Sequence, residues 1–182
     1  MSKIGKHIMI GFLLLIVFSS FMSSSGRIGW QENRPLQWTD YEGIPDYEDG
    51  FRDAVTASAL KFTTRCHKDG SLEVFVSAEF VKDQSWVKEV ARSDYHLNHE
   101  RLHFDITELY ARKFRDFLDT KTYTCDDRDL VQSLIYNALK DCMDHQNEYD
   151  KHTSYSLNKT QQANWETLIE NELKELELFS SK

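Results

Sequence analysis

Between Ser93 and Leu118 the chain repeats a set of residues at a helical period. His99, His103, Ile106, Tyr110, Phe114 and Phe117 return every three or four positions, which puts them on one face of an α-helix. Ser93 or Asp94 is a suitable N-cap. A stripe of this length must be covered, so the helix constrains every other element to pack around it. Two members of the stripe are histidines one turn apart, in the run His99-Glu100-Arg101-Leu102-His103. This is an H-E-x-x-H pattern. Imidazoles at i and i+4 share a face and can hold one zinc ion, and the Glu between them can act as general base toward a zinc-bound water. The pattern predicts His99 and His103 as metal ligands and Glu100 as the catalytic base. Arg101, Glu108, Arg112, Arg115 and Asp116 fall mostly off the stripe and read as solvated or paired surface charges.

The flanking sequence predicts what covers the helix. Leu36 to Tyr41 reads as a short strand, and the Gly and Pro of Glu42 to Asp46 as a turn. Ala54 to Thr64 reads as a strand with imperfect alternation. Leu72 to Phe80 alternates cleanly, with Leu72, Val74, Val76, Ala78 and Phe80 on one side. Lys68-Asp69-Gly70-Ser71 between the two is a hairpin turn signal. After the long helix, Asp129 to Asn147 predicts a second one and Glu148 to Leu157 a polar loop. Asn158 with Gln161 forms a cap for a third helix, whose face carries Trp165, Leu168, Ile169, Leu173 and Leu176. Asn158-Lys159-Thr160 also fits an N-glycosylation pattern, and helix capping explains the Asn better.

The first 25 residues stand apart. Lys3 and Lys6 precede an apolar run, Ile8 to Phe18, and Ser19 to Ser25 supplies small residues suited to cleavage. That is the layout of a secretory signal peptide, and the run is short for a bilayer span. The expectation is a leader at 1–25 and a single domain at 26–182, exported to the periplasm or medium. Membrane attachment is expected only where the leader stays uncleaved. Removing the leader leaves 157 of the 182 residues and takes away two Lys and no acid, so the net charge moves from −8 to −10. With no clustered Lys and Arg stripe, nucleic acid is excluded as a partner. Of three cysteines, Cys66, Cys125 and Cys142, the pair Cys125–Cys142 is a candidate disulfide, and buried free thiols are the alternative.

A catalytic zinc takes three protein ligands and a water. The metzincin continuation is absent, because positions 106 and 109 are Ile and Leu. Glu108 lies about 180° round the helix from His99 and points away. The third ligand is therefore sought in the later group Asp141, Asp144, His145, Glu148, Asp150 and His152. Tyr110 reads as a core residue on the histidine stripe. His96 reads as either a support for the site or a surface residue.

Several runs resemble the bacterial family known as domain of unknown function 922, described as secreted zinc-dependent protease-like proteins. They are Leu36 to Gly43, Ala54 to Ser58, Phe80 through Ser85-Trp86-Val87, His99 to Arg112, Tyr149-Asp150 with Thr153, and Gln162 with Trp165. The resemblance spans nearly all of the chain after the leader, and His99 to Ile106 is its most specific part. It implies a zincin-like fold and makes Asp150 the first choice for third ligand. The family often carries a His two residues after the Thr, and here that position is Tyr155.

Together these readings predict an α+β domain in which a small antiparallel sheet packs on a long H-E-x-x-H helix with further C-terminal helices. The expected function is a secreted zinc metallopeptidase acting on a peptide or protein substrate. The alternative is a zinc-binding envelope protein that binds partners without hydrolysis. A third reading is a structural envelope protein with core histidines.

Overall fold

The periodic stretch folds as helix α1, Asp94–Asp119, and its cap is Ser93, whose side chain accepts the His96 N–H. The computed structural model describes residues 26–50 and 52–181; the expected leader lies outside them. The fold is α+β. Strands β1 (Arg27–Gly29), β3 (Ser58–Cys66) and β4 (Leu72–Val81) form an antiparallel sheet in the order β1-β4-β3. A second pairing joins β2 (Ala54–Val55) to β5 (Trp86–Val87). Helices α2 (Arg128–Thr153) and α3 (Lys159–Glu175) complete the domain. Among the described residues no helix is long and apolar enough to cross a membrane.

Helix α1 lies between two layers. On one side Phe104, Ala111 and Phe114 pack with Leu60, Val76, Ala78 and Phe80 of the sheet. On the other, Leu102, Ile106 and Leu109 meet Tyr149 of α2 and Trp165 and Ile169 of α3. A helix covered on both sides buries more than its apolar stripe. This corrects the surface reading of Glu108 and Arg112, which are both buried. Glu108 Oε1 accepts from Arg112 Nε at 2.9 Å, and its Oε2 accepts from Arg115 at 3.0 Å. Arg112 also donates to the Leu173 carbonyl at 2.6 Å, so a polar cluster ties α1 to the end of α3. The stripe itself ends early, since Phe117 is 45% exposed.

The hairpin forms as the sequence predicts, with Ser58 opposite Phe80 and Cys66 opposite Leu72. Gly70 takes φ +86 in its turn, a conformation that costs other residues energy. The strand expected from Ala54 to Thr64 is broken after Val55. The cause is local: Ala57 N–H donates to Ser85 Oγ at 2.9 Å rather than to a strand, and Thr56 turns toward α1. Leu36 to Tyr41 is not a strand either. Asp40 Oδ2 accepts the Gln37 N–H at 2.8 Å and closes a helical turn over Trp38–Asp40.

The disulfide is Cys66–Cys125, with Cα atoms 5.6 Å apart, and Cys142 is a buried free thiol. The candidate pairing of Cys125 with Cys142 does not form; the free-thiol reading holds for Cys142 and not for the other two cysteines. Cys142 lies well inside α2, whereas Cys125 is placed at the hairpin tip by its own N–H, which donates to the Gly70 carbonyl at 2.9 Å.

Helix α2 is longer than the sequence predicts. It runs to Thr153, through the stretch read as a polar loop. Tyr149 and Thr153 turn inward among the polar residues, and Thr153 Oγ1 bonds back to the Tyr149 carbonyl at 2.8 Å. Ser154 then ends the helix in a left-handed conformation. Helix α3 starts at the expected cap, with Asn158 accepting the Gln161 N–H at 3.2 Å.

Candidate metal centre

The extra turns of α2 carry Asp150 to the histidine pair. Asp150 Oδ1 lies 3.2 Å from His99 Nε2 and 3.0 Å from His103 Nε2. Ligand atoms at about 2.0–2.1 Å from a tetrahedral zinc stand about 3.3 Å from one another, so these spacings fit one ion. The three ligand atoms all lie within 4.8 Å of each other, and the group is the one such cluster found among the described residues. The rest of the expected acidic group goes elsewhere. His145 Nδ1 is 3.0 Å from the Tyr110 hydroxyl, Lys140 pairs with Asp144 at 2.6 Å, and His152 lies 3.8 Å from Glu148. His96 Nδ1 is 3.0 Å from the Ala91 carbonyl, at the start of α1. Glu108 points away from the cluster into its arginine pair.

Hydrogen bonds behind the imidazoles fix which nitrogen is bare. His99 Nδ1 is 2.9 Å from Gln162 Oε1, and Gln162 Nε2 donates to Glu166 Oε1 at 3.0 Å. His103 Nδ1 is 2.5 Å from Gln146 Oε1, and Gln146 Nε2 donates to the His103 carbonyl at 2.8 Å. A carboxylate and a carbonyl only accept, so each amide must turn its nitrogen to them and its oxygen to the ring. Each Nδ1 therefore carries the hydrogen, and each neutral ring presents a lone pair at Nε2. Two lone pairs and a carboxylate oxygen converge. All three are acceptors, and such a trio is stable only around a cation.

Without a metal, that cation is a proton. Burial pushes the His103 pKa down, but the hydrogen bond and charge of Asp150 outweigh it and raise it overall. Burial would raise the Asp150 carboxyl, and the hydrogen bonds from His103 and His99 instead hold it well below the usual carboxylate range. Both shifts mark a place where positive charge is wanted.

Tyr149 forms the floor. Its ring stacks on His99 at 4.7 Å and meets His103 edge-on at 4.8 Å. Its hydroxyl lies 2.8 Å from Gln162 Oε1. Glu100 is held from the sheet side: Thr56 Oγ1 donates to its Oε2 at 2.6 Å, and the Tyr41 hydroxyl is 2.8 Å from Thr56. Burial, then the Glu100 charge, raises the Tyr41 pKa far above its ordinary value. Tyr41 thus stays protonated; with the Thr56 hydroxyl donating to Glu100, the Tyr41 hydroxyl donates its hydrogen bond to Thr56 Oγ1. Oε1 of Glu100 has no hydrogen-bond partner among the described residues.

The cluster opens into a cleft of about 340 Å³, walled by β2 on one side and by Ser154 to Leu157 on the other. Ser154, Tyr155 and Ser156 all have positive φ, of 50, 53 and 71. The Tyr155 N–H donates to the Asp150 carbonyl at 2.8 Å, and the Ser156 carbonyl accepts from the Tyr95 hydroxyl at 2.6 Å.

Sequence reasoning brought His99, Glu100, His103 and Asp150 forward and missed what supports them. Gln146 lies within the helix that the sequence predicts, but the loop reading of Glu148 to Leu157 cut off the face it belongs to. Cys142, Gln146, Tyr149 and Thr153 recur at helical spacing as one face of α2. Gln162 carried a signal, as an uncharged polar residue on the stripe with Trp165 and Ile169. Thr56 lies in one of the resembling runs, but its spacing marks no role, because that role depends on the break between β2 and β3. In comparisons with known proteins, no family model, curated protein or solved structure matches this chain.

Proposed function

We propose that this chain is a secreted zinc-dependent metallopeptidase with a zincin-like arrangement, related to the domain of unknown function 922 family. The observation that carries the reading is the convergence of three acceptor atoms, from His99, His103 and Asp150, beside a carboxylate held at the mouth of a cleft. The donor set of two imidazoles and one carboxylate suits zinc. When bound, zinc supplies Lewis acidity and lowers the pKa of water to about 7. The protein does the rest. His99, His103 and Asp150 would hold the ion, and the two glutamines keep the ring nitrogens correctly presented. Glu100 takes a proton at its Oε1 from the attacking water while Thr56 keeps Oε2 in place, and it then delivers that proton to the leaving amine. Strand β2 borders the cleft and offers backbone groups to an extended peptide.

One observation favours the non-catalytic reading. Strand β2 has two residues, a short template for holding a peptide chain. The test is the metal content of the purified protein, with His99→Ala as control. One zinc per chain, lost in His99→Ala, supports a metal site. No zinc in the unmodified protein sinks both readings. Glu100→Gln then separates them: a peptidase keeps its zinc and loses hydrolysis of a broad peptide library.

A further inference from the structure

The two metal-facing histidines are oriented by different means. For His103 the chain of hydrogen bonds ends on its own backbone carbonyl, through Gln146. For His99 it ends on a side chain. Gln162 Nε2 donates to Glu166 Oε1 at 3.0 Å, and the same oxygen accepts from Asn98 Nδ2 at 2.5 Å. Gln162 is 1% exposed and is locked between groups that dictate its orientation. Glu166 reaches the other face of α1, where it lines a separate cavity of about 820 Å³.

We propose that Glu166 is a positioning residue for the metal centre: it orients the Gln162 amide and so fixes His99 in the tautomer with a bare Nε2. This rests on the metal-site reading above and deepens it. Glu166 can only accept, so Gln162 must present its NH2 group to Glu166 and its oxygen to His99. With an amide at 166 either orientation of Gln162 finds a partner. In the flipped one, Gln162 donates to His99 Nδ1, the ring proton moves to Nε2, and the lone pair that would bind metal is gone. Glu166 acts on the metal through two side chains and touches neither metal nor substrate.

A charge-conserving exchange separates this role from a structural one. Glu166→Gln alone frees the Gln162 amide. Adding Gln162→Glu restores an acceptor-only group beside His99, with Gln at 166 donating to it. The full chain is produced in three forms: unmodified, Glu166→Gln, and the double variant. Two quantities are read. Long-range nitrogen–proton NMR correlations of the metal-free protein report the His99 tautomer, and chelator competition reports zinc affinity. Expected are a single Nδ1–H tautomer in the unmodified chain and mixed tautomers with zinc binding about 10–100-fold weaker in Glu166→Gln. The double variant should recover the single tautomer and zinc affinity within about tenfold of the unmodified chain. A single tautomer and unchanged affinity in Glu166→Gln overturns the proposal. So does a double variant with mixed tautomers. Where Glu166→Gln does not fold, the double variant decides by the same readings. If the unmodified chain binds no zinc but the tautomer responds as described, the metal reading fails and the positioning role stands.

Discussion

Two imidazoles facing one carboxylate give the metal-free protein a stability that depends on pH. Asp150 Oδ1 lies within 3.2 Å of both Nε2 atoms, and a proton is what holds them together when no metal does. The folded-state pKa of His103 is raised from 6.5. Its contribution is therefore complete below 6.5 and is lost as pH rises through the raised value. Asp150 behaves in the opposite sense. Its pKa is lowered from 3.8, so its contribution is present above 3.8 and is lost as pH falls through the folded value. The contribution of this pair is thus greatest between these limits. Exposures of 13% for His103 and 29% for Asp150 leave little screening of the pair. A hydrogen bond to a charged group is worth roughly 1.5–3 kcal/mol. In a domain of this size that corresponds to roughly 3–12 °C in melting temperature. The assay is thermal unfolding by circular dichroism in chelator, from about pH 5.5 to about pH 9. Unmodified protein should lose that amount toward the alkaline end. Asp150→Asn should show a much flatter profile there, because the charge that raises His103 is gone. Added zinc should reverse the slope, since binding displaces the proton and strengthens with pH. A metal-free melting temperature that is the same at both ends, or an unchanged fall in Asp150→Asn, would refute the reasoning.

Other perturbations have equally definite outcomes. Glu108→Ala leaves the buried Arg112 and the half-buried Arg115 without their carboxylate and should cost about 3–5 kcal/mol in urea denaturation. Cys66→Ser opens a loop spanning 59 residues, and its loss of constraint should lower stability by about 4 kcal/mol, an effect that reductant reproduces on the unmodified chain. Thr56→Val keeps shape but removes the donor to Glu100, so zinc content should hold while hydrolysis falls roughly ten- to hundredfold.

The periodicity of α1, its cap, the hairpin and the cap of α3 were legible because each is a local signal: spacing, a turn dipeptide, an Asn before a helix. The pair His99 and His103 was legible for the same reason. Asp150 was not fixed by spacing: the sequence placed it among six candidates for the third ligand, and resemblance singled it out. The physical reason is that α2 between Glu148 and Thr153 is almost wholly polar on its outer face, and polarity without Gly or Pro is compatible with either loop or helix. What decides is Tyr149, whose ring is fully buried beneath both histidines. The burial of Glu108 and Arg112 was hidden by a different cause. A stripe reports one packed face, and α1 is packed on two. The disulfide followed neither spacing nor composition, because it depends on the hairpin tip meeting the segment between α1 and α2.

The left-handed turn after Asp150 carries a cost that a glycine would avoid. Each non-glycine residue in this conformation costs roughly 1–2 kcal/mol, and three occur in succession. The turn fixes the wall of the cleft, since the Tyr155 N–H holds the Asp150 carbonyl and Tyr95 holds Ser156. Stability and the shape of the cleft are therefore set against each other at these positions. Ser154→Gly relieves the backbone and should raise stability by about 1 kcal/mol with the cleft intact. Tyr155→Gly gives the same relief but strips an aromatic ring from the cleft wall. The difference between the two variants isolates what that ring contributes, apart from the backbone that carries it.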